Sequence, residues 1–176
     1  MTYSLKETAL FLTGAEIHEK YLKAIFLDVG LCSAALGLSL TQLEQIEEIA
    51  WVNKGGLAEQ VVGQILRTIS PPYIEPHLYY WHRDEKGSSA EIDYIVQHGN
   101  QVIPIEVKAG STGSLKSLHL FMRTKGFPIA VGINSDFPSQ VDVDHQGEAV
   151  QYRLLSIPFY LIHQLHRLLN AKISIG

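Results

Sequence analysis

Asp93, Glu106 and Lys108 are the residues whose types and spacing point most directly to chemistry. They lie in the stretch Glu91-Ile-Asp-Tyr-Ile-Val-Gln-His-Gly-Asn-Gln-Val-Ile-Pro-Ile-Glu-Val-Lys108, which reads as two short β runs joined by Gly99-Asn100, a two-residue hairpin loop with glycine first. His98 then faces Gln101, and counting outward puts Asp93 opposite Glu106 and Glu91 opposite Lys108. Directly facing Cβ atoms sit roughly 4.5–5.5 Å apart, where two carboxylates repel. A cation between them removes the repulsion, and Mg²⁺ is the hard ion commonly held by one or two carboxylates plus water. Alternation places Glu91, Asp93 and Ile95 on one face of the first run. On the second it places Val102, Pro104, Glu106 and Lys108 on one face and Ile103, Ile105 and Val107 on the other. An acid facing a Glu-x-Lys is therefore a candidate metal-assisted site. The plainer reading is a half-exposed hairpin whose Glu91 and Lys108 form a surface pair of little worth.

The elements that must carry this hairpin follow from periodicity and capping. Lys20–Leu27 is an apolar run with a strand-like end. Asp28 is an N-cap for a helix over Val29–Leu36, which Gly37 closes. Thr41 and Glu44 form a capping box for a helix over Gln42–Trp51. Residues 1–53 are accordingly expected to be a mostly helical extension, and residues 54–176 the core domain. Lys54-Gly55-Gly56 breaks the pattern, and Leu57, Val61, Ile65 and Ile69 then mark one side of a helix that Ser70-Pro-Pro72 ends. Glu59 falls in its first turn, where the helix dipole favours an acid. Leu78–His82 is an aromatic strand. After the hairpin, Ser114 is a cap for a helix over Leu115–Lys125 with Leu115, Leu118 and Met122 inward. A strand over Phe127–Ile133, a polar loop over Asn134–Gly147, a strand over Glu148–Leu155 and a helix over Phe159–Leu169 complete the chain. The order α-β-β-β-α-β predicts an α/β (α+β) fold with a mixed central sheet flanked by helices.

Composition narrows the classes. The chain has 176 residues, 46% hydrophobic and 18% charged, which is enough apolar sequence for a core. A net charge of −4 supplies no overall basic footprint for nucleic acid. A single cysteine, Cys32, forbids an internal disulfide and points to a reducing, cytoplasmic setting. No apolar run approaches the roughly 18 residues of a membrane span, so no membrane partner is expected. His163 and His166 lie three apart on the last helix without an acid beside them, which suits an exposed face. Tyr79, Tyr80 and Trp81 suit a core strand, although such rings can stack bases. Asp142 and Asp144 suit a solvated loop.

The element order, with the acid on the second core strand and Glu-x-Lys on the third, resembles the restriction-endonuclease-like PD-(D/E)XK superfamily. The motifs Phe26-Leu-Asp-Val-Gly-Leu31, Gly56-Leu-Ala-Glu-Gln60, Leu78-Tyr-Tyr-Trp81, Ala90-Glu-Ile-Asp-Tyr94 and Ile103-Pro-Ile-Glu-Val-Lys-Ala-Gly110 are similar to a domain of unknown function that follows AAA-type P-loop ATPase modules in bacteria and archaea. The resemblance spans about Lys23 to Leu169. It implies a nuclease-like core in which Asp93, Glu106 and the Val107 carbonyl hold Mg²⁺ or Mn²⁺, Lys108 orients water or stabilises phosphate charge, and Glu59 joins from its helix. The implied partners are DNA and an ATPase module. A homo-oligomer is left open. No Gly-x-x-x-x-Gly-Lys-[Ser/Thr] loop occurs, so there is no ATP site in this chain; the ATPase module is expected to have been separated from it or lost. Two functions follow as expectations: a metal-dependent DNA phosphodiesterase, or a non-catalytic module that docks nucleic acid or protein.

Overall fold

The computed structural model describes residues 2–8, 17–37, 49–74, 76–85, 88–144 and 151–173. They form a mixed sheet with helices on both faces. The strands are β1 (Thr2–Thr8), β2 (Ile17–Phe26), β3 (Leu78–Glu85), β4 (Ser88–His98), β5 (Gln101–Val107), β6 (Ile129–Asn134), β7 (Ser139–Asp144) and β8 (Gln151–Pro158). The helices are α1 (Val29–Ala35), α2 (Ile49–Thr68), α3 (Lys116–Lys125) and α4 (Leu165–Ile173), the last preceded by a 3-10 turn, Phe159–Gln164. The order across the sheet is β2-β1-β3-β4-β5-β6-β8-β7. The β3–β4–β5 meander is antiparallel, and β5, β6 and β8 run parallel to one another. The β-β-β-α-β order after α2 is as the periodicity predicts.

Two apolar layers hold the helices to the sheet. One gathers Val62 and Leu66 of α2, Ile162 of the 3-10 turn and Leu165 and Leu169 of α4 against Tyr94, Val96, Ile103, Ile105, Val131 and Ile157. The other gathers Leu118, Phe121 and Met122 of α3 against Trp81, Ile92, Ile95 and Ala130. Burying each large side chain contributes about 1.5–3 kcal/mol, so these layers are the main source of stability. Tyr80 and Trp81 are buried, as an aromatic core strand requires.

Several expectations are corrected. In the stretch 1–53, expected to be mostly helical, the described residues include two antiparallel strands, Thr2–Thr8 and Ile17–Phe26, that extend the sheet. The expected capping box at Thr41 and Glu44 lies outside the described residues, as does much of its helix. Gly55 and Gly56 do not break α2, which runs through them. Each glycine costs about 1 kcal/mol in a helix interior, which tertiary packing on the sheet overrides. Glu59 therefore lies mid-helix, and its first-turn dipole role does not apply. Ser114 caps nothing, since Leu115 is the N-cap of α3 and no side chain bonds there. The polar loop after Asn134 contains β7, an exposed edge strand whose Asp142 meets Arg153 at 3.0 Å. His166 is not simply exposed. Its Nδ1 lies 2.9 Å from His98 Nδ1, and His98 Nε2 lies 2.9 Å from Asn170 Oδ1. With Asn170 Oδ1 as acceptor, His98 donates from Nε2, and its Nδ1 accepts a hydrogen bond from His166 Nδ1–H. These bonds dock the hairpin tip on α4. Asp28 does cap α1, its Oδ1 accepting from Leu31 N–H at 2.9 Å.

Helix α2 approaches the sheet closely at Gly63. A Cβ there would lie 2.6 Å from the Tyr94 hydroxyl and 2.8 Å from Ile25 Cδ1. The hydroxyl cannot retreat freely, because it donates to the Glu59 carbonyl at 2.6 Å. Gly63→Ala is expected to lower stability by about 1–3 kcal/mol despite the better helix propensity of alanine. Urea denaturation checks this, and a variant as stable as the parent would contradict the close approach.

Candidate functional site

The site forms where β4 and β5 part. Their ladder runs from His98↔Gln101 to Tyr94↔Ile105, in the register the Gly99-Asn100 loop predicts. It stops one pair short of Asp93 and Glu106. There the Val107 N–H donates to Asp93 Oδ2 at 2.7 Å, so a side chain takes over from the backbone. Lys108 N–H meanwhile donates to the Ile133 carbonyl on β6 at 2.8 Å, pulling the end of β5 toward the parallel half of the sheet.

A bulge on the other side of β4 aims these residues. The pairing with β3 jumps from Tyr79↔Ile95 to Trp81↔Ile92, so Asp93 and Tyr94 together oppose Tyr80. Strict alternation is broken as a result. Ile92 and Ile95 share one apolar layer, while Tyr94 and Val96 share the other. Ile95 thus does not share a face with Asp93 in the simple way alternation expects. Bulges of this kind recur beside functional sites because they re-aim a side chain.

Four carboxylates and two lysines meet here. Glu59 comes from α2, Glu91 and Asp93 from β4, and Glu106 from β5. Lys108 lies just past β5, its Nζ 2.7 Å from Glu106 Oε1. Lys23, from β2, reaches Glu59 Oε2 at 2.9 Å, Glu91 Oε1 at 3.1 Å and Asp93 Oδ1 at 3.6 Å. Its ammonium also lies 5.2 Å from the centre of the Tyr94 ring. The expected Glu91–Lys108 partnership is corrected: Glu91 pairs with Lys23, and Lys108 with Glu106. Val107 enters through its N–H, while its side chain is buried in the core.

Electrostatics follow from this crowding. Burial pushes the Asp93 carboxyl up to about 7, and the Glu59 and Glu106 charges push the same way; Lys23 and the Val107 N–H only partly offset them. Burial also raises Glu106, against the opposing pull of Lys108. Burial alone would lower Lys23, but Asp93, Glu59 and Glu91 outweigh it and hold the ammonium above its usual range. Glu106 is 7% exposed, and its Oε2 is buried with no hydrogen-bond partner. Such an orphaned acceptor is costly. The oxygens suit a hard cation, but among the described residues no three His, Cys, Asp or Glu side chains are gathered to hold one ion as they stand.

Lys23 was not singled out by sequence pattern. The signal present was a lone charge in Tyr21-Leu-Lys-Ala-Ile-Phe-Leu27, a run otherwise fit for burial. Gln60 was missed too. Its Oε1 accepts from Phe26 N–H and its Nε2 donates to the Ala24 carbonyl, both at 2.9 Å, which ties β2 to α2. A buried amide supports the loop after Lys108: Asn134 Nδ2 donates to Thr112 Oγ1 at 2.8 Å and Ser156 Oγ at 2.7 Å. Asp136 Oδ2 accepts from Thr112 N–H at 2.7 Å, which holds the Asp136 carboxyl below its usual range.

The raised Asp93 carboxyl fixes the sign of a pH effect. Between the unfolded value near 4 and the folded value of about 7, the folded protein binds more protons, so stability falls as pH rises. Asp93→Asn is expected to be near neutral at pH 4.5 and stabilising by on the order of 1–3 kcal/mol at pH 8. Denaturant midpoints at the two pH values measure this; an equal effect at both would contradict the crowding.

Among the described residues no helix is long and apolar enough to cross a membrane. No curated protein matches the chain. The family model for DUF4143, a domain of unknown function, matches residues 54–141, half of the 176 residues and the part that carries Glu59, Asp93, Glu106 and Lys108, so the chain belongs to the DUF4143 family.

Proposed function

We propose that Glu59, Asp93, Glu106 and Lys108 form a phosphodiester-hydrolysing centre of the PD-(D/E)XK type that works with Mg²⁺ or Mn²⁺ and acts on DNA. The observation that carries this reading is the meeting of these four side chains from a helix, two adjacent strands and the residue just past β5, with Glu106 Oε2 buried and unpartnered among them. The restriction-endonuclease-like fold belongs to the same proposal, supported by the β-β-β-α-β order after α2.

The donor set fits the ion. Carboxylate oxygens are what Mg²⁺ and Mn²⁺ prefer, and four acids against two lysines leave an excess of negative charge. Asp93 and Glu106 would hold the ion, with the Val107 carbonyl and Glu59 completing its surroundings. Bound there, it supplies Lewis-acid polarisation of a phosphate oxygen and a more acidic water. Lys108, beside Glu106, would face the charge that develops on the phosphate as the water oxygen bonds to phosphorus and the P–O bond to the leaving group breaks. The attacking water would give up its proton to solvent, and the leaving alkoxide would take one up from solvent. Glu106 holds the Lys108 ammonium in place through the 2.7 Å contact.

The family accompanies AAA-type ATPases, which makes an ATPase the natural partner for controlling access to DNA. A second reading is favoured by one specific observation, Lys23 among the carboxylates. A site filled by its own lysine suits a module that docks nucleic acid or protein without cutting. Incubating single- and double-stranded DNA with the protein and Mg²⁺ or Mn²⁺ separates the two. Cleavage is expected, and Lys108→Ala is expected to lower its rate at least about a hundredfold. Calorimetric Mn²⁺ binding is expected to disappear in Asp93→Ala. DNA binding with no cleavage under any of these conditions supports the docking reading instead.

A further inference from the structure

Lys23 is a cation in the middle of an anionic site. Its three carboxylate partners come from two different elements, α2 and β4, and it comes from a third, β2. Its side chain is 16% exposed and that of Asp93 13%, so water does little to screen that pair, while the half-exposed Glu91 is screened more. The acids are arranged around the ammonium. Two of the groups the ion would use, Glu59 and Asp93, already spend oxygens on Lys23, and Glu106 Oε2 is left without a partner. This explains why no three acids converge on one point.

We propose that Lys23 is a built-in counter-cation that occupies the carboxylate site and must withdraw when a divalent ion enters, so that metal loading is coupled to displacement of the Lys23 ammonium. The inference rests on the metal reading given above and adds how the site is controlled. An ion about 2.1 Å from the same Asp93 and Glu59 oxygens would lie within a few ångströms of the ammonium, where two cations repel strongly. One of them has to leave.

Withdrawal does not require β2 to move, since Ile25 is fully buried in the same core as α2 and β4 and packs against Gly63. The Gln60 amide further fixes the strand on either side of Ile25, at Phe26 N–H and the Ala24 carbonyl. The flexible four-carbon stem of lysine lets the ammonium swing out while the backbone and the carboxylates stay in place. With Lys23 withdrawn, Lys108 remains the cation beside Glu106, and the pull on a divalent ion rises.

Mn²⁺ calorimetry on the full chain tests this with Lys23→Met, which keeps the alkyl stem, and Lys23→Arg, which keeps the charge. Lys23→Met is expected to bind Mn²⁺ at least tenfold more tightly than the parent, and Lys23→Arg within about threefold of it. Equal affinity in the parent and a folded Lys23→Met overturns the inference and leaves the metal reading standing. So does an equal gain in both variants, which would mean that charge is not the cause. No Mn²⁺ binding in the parent or in either variant overturns the metal reading and the inference with it. A measurement on the unaltered protein guards against a variant that fails to fold. The Lys23 ammonium resonance, followed by NMR as Mg²⁺ is added, is expected to lose its slow solvent exchange as the ion binds. An ammonium that stays protected while Mg²⁺ binds elsewhere among the acids overturns the proposal.

Discussion

A helix can lie this close to a sheet only where it presents no side chain, and Gly63 is that place. Tyr94 and Ile25 fill the space a Cβ would take, and the Tyr94 hydroxyl closes the contact on the Glu59 carbonyl. The height of α2 above β4 is set there. With it is set the reach of Glu59, one turn earlier on the same helix, toward Asp93 and Lys23. Packing and chemistry are thus coupled through a single point. A looser fit would leave the apolar layer largely intact while drawing the carboxylates apart.

The site concentrates like charge where burial makes it expensive. Asp93 and Glu106 are both held on the protonated side of their ordinary range by burial, and neighbouring acids add to it. Natural cores avoid such groupings unless a ligand or a partner compensates. Three devices reduce the strain here: the Val107 N–H on Asp93, Lys108 on Glu106, and Lys23 across Glu59, Glu91 and Asp93. Perturbed groups gathered in this way are characteristic of functional sites, though structural ion-pair networks produce them too.

Much of the arrangement could be read from residue order. Hairpin register follows from Gly99-Asn100, since a two-residue loop leaves no freedom in which residues face each other. The inner face of α3 follows from spacing, as Leu118 and Met122 demonstrate, whereas on α2 the buried residues are Val62 and Leu66, one position on from the expected Val61 and Ile65. What was not legible came from contacts distant in the chain. The bulge at Asp93–Tyr94 depends on how β3 pairs, and nothing in Glu91-Ile-Asp-Tyr marks an extra residue. Lys23 acquires its meaning from acids 36 to 70 positions away in the chain (at Glu59, Glu91 and Asp93), which no local pattern encodes. Gly55 and Gly56 misled for the opposite reason: a local breaker signal yielded to the packing of α2.

The sheet ends on one side in β7, whose residues are nearly all exposed. An open strand edge presents unpaired N–H and carbonyl groups and invites another chain to add a strand. Here the edge carries Asp142 and Asp144, and Gln140 where an apolar residue would be stickier, and the strand is short. Two such edges brought together would set acid against acid. The acids on β7 therefore weigh against pairing of two such edges.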